Sequence, residues 1–307
     1  MKPLNGIALK LVAVTLFIVM SALIKAASDT VPPGQAVFFR SFFAIPVILG
    51  WLVMRGEMST GLKVASRMGH FWRGFVGTTA MGLMFAGLGL LPLPEVTALS
   101  YAAPLLVVVF AAMFLDEKVG VFRLGAVALG LVGVLVVLTP RLTTLGGPTV
   151  ETAQAVGAVL VLLGAVCAAL AQIYIRKLVQ TEQTSAIVFY FSLTSTLLSL
   201  LTLPFGWVVP GGTETVYLVL AGLFGGLAQI FLTSAYRFAD ASVIAPFDYA
   251  SMLFAIAIGY VIFDEVPTAQ MLIGAALIVL AGIIIILRER QLGLQRGRAK
   301  AAKTPQG

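Results

Sequence analysis

The sequence predicts an all-α integral membrane protein. Of its 307 residues, 60% are hydrophobic and only 11% are charged, whereas about a quarter of the residues of a soluble domain carry a charge. Apolar runs of roughly 20 residues, the length that crosses the hydrocarbon core of a bilayer, recur along nearly the whole chain. These runs are continuous rather than alternating, which favours helices over a β-barrel.

Ten membrane-spanning helices are predicted from these runs, and counts of nine or eleven stay open. The predicted spans cover residues 6–27, 34–54, 71–91, 94–115, 121–139, 153–175, 185–206, 214–236, 241–263 and 267–287. They leave no stretch long enough for a soluble domain of ordinary size.

The positions of the positive charges predict the orientation of the chain. If the chain starts in the cytoplasm, 17 of the 20 Lys and Arg residues fall in cytoplasmic segments, and only Lys25 and Arg141 fall on the other side. This is the positive-inside pattern of a multi-pass protein of the cell inner membrane, with both termini cytoplasmic. The net charge of +7 is therefore explained without a nucleic-acid partner.

A five-helix unit is predicted to occur twice. The segments FLDEKVGVFRLGAVALGLVGVLVVL (114–138) and IFDEVPTAQMLIGAALIVLAGIIIIL (262–287) share an Asp-Glu pair and two identically spaced glycines, and Tyr101 aligns with Tyr249. Because five is odd, the second unit enters the membrane from the opposite side, which predicts an inverted-topology repeat. The predicted parts are a first repeat (1–139), an extracytoplasmic linker (140–152), a second repeat (153–287) and a basic cytoplasmic tail (288–307).

The pattern PLPEVTALSYAAPLLVVVFAAMFLDEKV followed by LGAVALGLVGVLVV resembles the EamA-type branch of the drug/metabolite transporter superfamily. The resemblance extends over roughly residues 6–287 and implies a ten-helix secondary transporter. The family exports amino acids and drugs and imports vitamins and metabolites such as riboflavin and S-adenosylmethionine, so the resemblance does not imply one substrate. One departure is Met252, which stands where the first repeat has Pro104.

Charged residues inside the predicted spans are the first candidates for function, because each costs at least roughly 2.5–3.5 kcal/mol to insert. Arg40 lies among four phenylalanines. It either binds a carboxylate, phosphate or carbonyl group of a substrate, or it pairs with Asp248 or a backbone carbonyl or reaches the headgroups. Asp248 is either a proton-coupling carboxylate or a neutralising partner for Arg40 or Arg237, or it makes a hydrogen bond at a helix kink near Pro246.

Uncharged side chains that two facing halves would direct into a shared cavity are the second group of candidates. Tyr101 matches Tyr249 across the repeat, and Ser21 matches Gln172. The predicted substrate-binding residues are Arg40, Tyr101, Tyr249, Gln172, Phe38, Tyr190 and Ser21. The alternative role of the polar members is hydrogen bonding between helices, worth about 0.6 kcal/mol in a membrane, and that of Phe38 is packing.

A secondary transporter that works by alternating access is the predicted function, with coupling to protons through Asp248. Riboflavin-like vitamin uptake and amino-acid or metabolite export are both open. A channel would need a filter-like loop or rings of charge, and an enzyme would need a nucleophile with its base or a metal cluster, yet the chain has one histidine. No catalytic residue, metal or cofactor is predicted. The predicted partners are a small-molecule substrate and the lipid bilayer, and a homodimer is left open.

Overall fold

The structure, a computed structural model, describes residues 3–114, 120–142, 149–178, 181–238 and 245–302. All regular elements in these ranges are helical. They are α1 (Pro3–Ala27), α2 (Pro33–Met54), α3 (Arg67–Leu88), α4 (Leu93–Ser100), α5 (Ala102–Phe114), α6 (Val121–Leu142), α7 (Thr149–Leu178), α8 (Thr184–Leu200), α9 (Gly212–Phe238), a 3₁₀ turn (Ala245–Tyr249), α10 (Ala250–Phe263) and α11 (Ala269–Ala302).

Seven stretches of the described chain are long and apolar enough to cross a membrane: α1, α2, α4 with α5, α6, α7, α9 and α11. Two more apolar stretches, α8 and Phe247–Phe263, are shorter. The α3 helix has 22 residues, but its arginines, glycines and threonines lower its hydropathy and it does not belong to this set. The prediction of an all-helical, multi-pass membrane protein is confirmed at this level.

Several predicted boundaries differ from the observed ones. The α3 helix begins at Arg67, four residues before its predicted start, because Ser66 caps its first turn. The predicted fourth span is broken at Tyr101 into α4 and α5, and the described part of the ninth begins as a 3₁₀ turn that ends at Tyr249. The last helix continues to Ala302, since Arg, Lys, Gln and Ala in the tail are good helix formers.

Helices of the first half of the chain pack mainly on helices of the second half. The α1 helix packs on α9, α3 on α7, α2 on α8, and α6 on α11. Met20 of α1 lies beside Gly225 of α9, whereas Leu9 of α1 lies beside Ala235, so these two helices are antiparallel. We call the end of the bundle where α1 begins the near end, and the end where α1 stops the far end.

Two glycines let α6 and α11 approach closely. A Cβ atom on Gly133 would lie 2.7 Å from the carbonyl oxygen of Gly274, and a Cβ atom on Gly274 would lie 2.7 Å from the carbonyl oxygen of Gly133. Small residues are the usual means by which membrane helices bring their backbones together. A side chain at either position would push the two halves apart.

Glu182, in the turn between α7 and α8, holds the start of α3 at the near end. Its Oε1 atom accepts hydrogen bonds from the backbone N–H groups of Ala65 (2.8 Å) and Ser66 (2.6 Å), and its Oε2 atom lies 3.6 Å from His70 Nε2. Burial raises the pKa of Glu182, but the two N–H groups and His70 outweigh it, so the pKa lies below its usual value. The ionised carboxylate therefore stabilises the fold.

Replacing Glu182 with glutamine is expected to lower the melting temperature of the purified protein by roughly 2–4 °C at pH 7, because an amide accepts the same hydrogen bonds more weakly. A carboxyl group whose pKa is lowered by folding stabilises the folded protein at pH values above its unfolded pKa of about 4.3. It loses this effect as the pH falls through its pKa in the folded protein. The difference between Glu182→Gln and wild type should therefore shrink below about pH 4. Glu57→Gln, at an exposed ion pair, is the control; an equal effect of both variants would contradict the prediction.

Candidate functional site

A central cavity of about 670 Å³ lies between the two halves of the bundle. Six of the predicted site residues line it, namely Ser21, Arg40, Tyr101, Gln172, Asp248 and Tyr249. Towards the far end its walls reach Leu88 and Leu93, and towards the near end they reach Lys10 and Asp248. The volume is within the usual range for sites that bind small molecules.

Two of the predicted site residues do not line this cavity. Phe38 packs against Phe42 and Trp207, with ring centroids 5.5 and 5.4 Å away. It precedes Arg40 by two positions and so points to the other side of α2. Tyr190 donates its hydroxyl to the carbonyl of Leu62 (3.1 Å) and lines a separate cavity of about 370 Å³ at the near end.

An ion pair lies next to Leu88 and Leu93, the residues that the cavity reaches at its far-end side. Lys25 Nζ lies 2.9 Å from Glu265 Oε1 and donates to the carbonyl groups of Leu88 (3.2 Å) and Leu91 (2.7 Å). The second carboxylate oxygen of Glu265 accepts the backbone N–H of Leu93 at 2.8 Å. This cluster joins the end of α1, the α3–α4 turn and the α10–α11 turn.

A second ion pair lies at the same end. Glu95, in the first turn of α4, is buried and accepts two hydrogen bonds from Arg141 of α6, at 3.0 and 2.6 Å. Arg141 also donates to the side chain of Gln154 in α7. Bidentate pairing with an arginine is the strongest form of such a contact, so α4, α6 and α7 are held together here.

Asp248 pairs with Lys10 rather than with Arg40, and the side chain of Arg237, the other arginine that the sequence suggested, lies outside the described residues. Lys10 Nζ lies 2.7 Å from Asp248 Oδ1. The charge pattern of the sequence assigns Lys10 to a cytoplasmic segment. In the structure its side chain is only 2% exposed and lies inside the bundle, whereas the Asp248 side chain is 48% exposed. The 3₁₀ turn, which no hydropathy pattern indicates, brings Asp248 to this position beside α1.

The aligned tyrosines Tyr101 and Tyr249 meet at the centre of the bundle. Their ring centroids are 5.1 Å apart, with the planes at 70°. Tyr101 donates to the carbonyl of Asp248 (3.3 Å) and hydrogen-bonds the hydroxyl of Ser251. The Tyr249 hydroxyl fills the space where a side chain on Gly282 would lie. Each tyrosine sits at the junction of two helical segments, so the polar groups freed by both breaks lie close to the cavity.

Arg73 is the functional candidate that sequence reasoning missed. It was counted as cytoplasmic, but α3 starts at Arg67, so Arg73 lies almost two turns inside the helix and lines the cavity. Its guanidinium carbon is 3.9 Å from the ring centroid of Phe191, and that of Arg40 is 5.7 Å from the same centroid. When the two repeats are aligned, Ser41 matches Ser192, so Arg40 matches Phe191. This match is the signal in the sequence that points to Phe191.

Among the described residues, no group of three or more His, Cys, Asp or Glu side chains is arranged to hold a metal ion. What the cavity offers instead is two arginines, a lysine–aspartate pair and two tyrosines. Groups of this kind can bind and orient a solute. None of them forms a nucleophile with an adjacent base of the kind that covalent catalysis needs.

Comparisons with known proteins agree with this picture. A model described as the EamA-like transporter family matches residues 4–139 and again residues 155–288. A pseudopaline exporter of Pseudomonas aeruginosa (strain UCBPP-PA14) is 33% identical over 285 residues, which cover 92% of this chain and 95% of the relative. An S-adenosylmethionine uptake transporter of Rickettsia felis is 28% identical over 257 residues, 84% of each chain.

A solved crystal structure has the same fold, with a TM-score of 0.64 at 21% sequence identity, covering 94% of this chain and 98% of that one. The family and the names of the relatives point to a transporter rather than to an enzyme. The family model accounts for nearly all of the described helices. The chain therefore belongs to the EamA-like transporter family of the drug/metabolite transporter superfamily.

Proposed function

We propose that this protein is a secondary transporter that moves a small organic metabolite across the cell inner membrane by alternating access. In this proposal ten spans form two inverted five-helix repeats, and both termini are cytoplasmic. The observation that carries the proposal is a cavity between the halves. At the far end it reaches Leu88 and Leu93, whose backbone groups hydrogen-bond the Lys25–Glu265 ion pair, and towards the near end it reaches a half-exposed Asp248.

Reciprocal packing supports the inverted repeat. Contact of α1 with α9 pairs the first predicted span with the eighth, and contact of α3 with α7 pairs the third with the sixth. The first span of one half corresponds to the first of the other half, and the third to the third, so exchanging the halves turns each of these contacts into the other. This is expected for units related by a two-fold axis in the membrane plane. Such a relation gives two states of similar energy around one midplane site.

The substrate contacts in this proposal come from Arg40, which faces an acidic or carbonyl group, and from Tyr101 and Tyr249, which face an apolar portion. Asp248 couples transport to protons, because a half-exposed carboxylate beside Lys10 can change charge as access changes. The names of the relatives include an exporter and an uptake transporter, so direction does not follow from similarity. Vitamin uptake and amino-acid or metabolite export are both retained as substrate hypotheses.

Uptake into vesicles containing the purified protein tests the proposal. A radiolabelled panel of flavins, amino acids and their acidic derivatives is offered, with protein-free vesicles as background. Gln172→Trp should reduce the uptake of any transported compound to background, because Gln172 is exposed to the cavity. Leu163→Trp is the matched control, since Leu163 lies on the same helix α7 and is 50% exposed at the outer surface. Full transport by Gln172→Trp would contradict the proposal.

Orientation is tested separately by labelling single cysteines in a Cys167→Ser background. Cysteines at Lys63 and Thr213 should react with a membrane-impermeant maleimide from opposite sides of the membrane, with Lys63→Cys protected in intact cells. Labelling of both from one side would refute the proposed topology.

A further inference from the structure

We propose that the cavity selects a substrate with two acidic groups, one bound by Arg40 and the other by Arg73, with the connecting skeleton lying over the Phe191 ring. The inference rests on the transport function proposed above and specifies the chemical class of its substrate. It is drawn from the burial, the missing partners and the charge balance of the two arginines.

Both guanidinium groups are buried without the partners they need. Arg40 is 6% exposed and Arg73 is 9% exposed. The buried atoms Arg40 Nε, Arg73 Nε and Arg73 Nη1 have no hydrogen-bond partner among the described residues. A buried donor that stays unsatisfied costs about 1–3 kcal/mol, and more when it is charged. Both arginines line the cavity, so an acidic ligand there would compensate guanidinium groups that the described residues leave incompletely satisfied.

The charge of the cavity points to an anion. Its described lining residues include the cations Lys10, Arg40 and Arg73 and one carboxylate, that of Asp248. Asp248 lies 2.7 Å from Lys10, so the two arginines remain as a net charge of +2 among these residues. A buried charge without a counter-charge costs several kcal/mol. A ligand with two negative charges removes both penalties, whereas a neutral ligand can supply acceptors but leaves the charge uncompensated.

The two positive charges lie close to one aromatic ring. Both guanidinium groups contact the Phe191 ring from their own helices, α2 and α3, and the two contact distances limit their separation to less than about 10 Å, within the range of charge interaction at 0.1 M salt. Two acidic groups on one flexible skeleton fit this spacing. The aromatic face between the arginines provides an apolar surface for the skeleton.

Two glycines keep the space around the guanidinium groups free. A Cβ atom on Gly77 would collide with Nη1 of Arg73, and one on Gly225 would lie 3.1 Å from Nε of Arg40. Gly77 lies one turn after Arg73 on α3, and Gly225 lies on α9. Backbone without side chains thus makes room for both guanidinium groups inside the bundle. An arginine that extended to the headgroups would not need this room.

Binding of an isosteric series to the purified protein in nanodiscs, at fixed ionic strength, tests the inference. The probes are glutarate, its monoamide and its diamide, which share one skeleton and carry two, one and no negative charges. Calorimetry on the wild type should show about a tenfold weaker Kd for each charge removed. The preference for glutarate over its diamide, about 100-fold in the wild type, should fall to about tenfold in Arg40→Gln and in Arg73→Gln. The double variant should show no preference. Arg67→Gln, on α3 but outside the cavity, should keep it.

Stability of the ligand-free protein distinguishes binding from a structural role. Because Arg73 lacks a counter-charge among the described residues, Arg73→Gln should melt at or above the wild-type temperature, whereas removal of a structural arginine would lower it. Equal affinity of the wild type for glutarate and its diamide would overturn the inference, as would an unchanged preference in Arg73→Gln. Charge preference without vesicle uptake would instead refute transport alone, and uptake without charge preference would refute only the substrate class.

Discussion

Replacing Asp248 with asparagine is expected to lower the free energy of unfolding of the purified transporter by about 3 kcal/mol. The physical reason is that Lys10, 2% exposed, loses the carboxylate that lies 2.7 Å from its ammonium group. Removal of one partner from a buried ion pair typically costs about 3–5 kcal/mol, and the lower end applies because the Asp248 side chain is 48% exposed. Denaturant unfolding in a mild detergent measures the change.

A double-mutant cycle shows whether the pair itself carries this effect. Lys10→Met should also destabilise, whereas Lys10→Met with Asp248→Asn should recover most of the loss, because both charges are removed together. The matched control is the exposed pair of Arg55 and Glu57, 2.8 Å apart, where Glu57→Gln should cost less than about 1 kcal/mol. If the effects of the two cavity substitutions simply add, Lys10 and Asp248 do not act as a pair.

The same variant separates coupling from binding. Asp248→Asn should still exchange substrate across vesicles in the absence of a gradient. Because an asparagine side chain does not bind or release a proton at the pH of the assay, the variant should no longer accumulate substrate in response to a pH gradient. Retention of full gradient-driven accumulation would rule out Asp248 as the coupling group.

The helical membrane class of the chain could be predicted from its sequence because composition and pattern agree. With 60% hydrophobic residues the chain must satisfy its backbone in lipid, as helices or as a closed barrel, and its continuous apolar runs favour helices. The position of Arg40 in the cavity wall could also be predicted from the sequence, because a charge so far inside a span needs a wet or polar environment. The pairing of Tyr101 with Tyr249 could be expected from their alignment across the predicted repeat, since equivalent positions near the two-fold axis of such a repeat would approach each other.

Side-chain partners could not be predicted in the same way. Hydropathy places a span to within a few residues but does not fix its rotation, so Phe38 was assigned to the cavity although it faces away from Arg40's side of α2. Arg73 lies at the very start of the predicted span 71–91 and was therefore grouped with the cytoplasmic charges, whereas α3 begins four residues earlier, at Arg67. Lys10 reaches Asp248 only because the 3₁₀ turn packs beside α1, and contacts between helices so distant in sequence depend on the tertiary fold.

Replacing Glu265 with glutamine is expected to open the far end. The Glu265 carboxylate holds Lys25 at 2.9 Å and accepts the N–H of Leu93 at 2.8 Å, so one side chain ties three parts of the bundle. Glutamine keeps an acceptor for the N–H of Leu93 but loses the ion pair, in which both side chains are 15% exposed. At about 1.4 kcal/mol for each tenfold change in an equilibrium, loss of a partly buried pair should raise the far-end-open population about tenfold.

Accessibility of a cysteine at Thr97 measures this shift. Thr97 is buried and lines the cavity one turn after Leu93, so in a Cys167→Ser background it should react slowly with an impermeant maleimide added outside the cell. Glu265→Gln should raise the rate about tenfold. Asp264→Asn is the adjacent control, because asparagine tolerates the left-handed backbone of Asp264 (φ 53°) and leaves the ion pair intact. Equal rates in Glu265→Gln and Asp264→Asn would mean that the ion pair joins the helices in every state and does not control access.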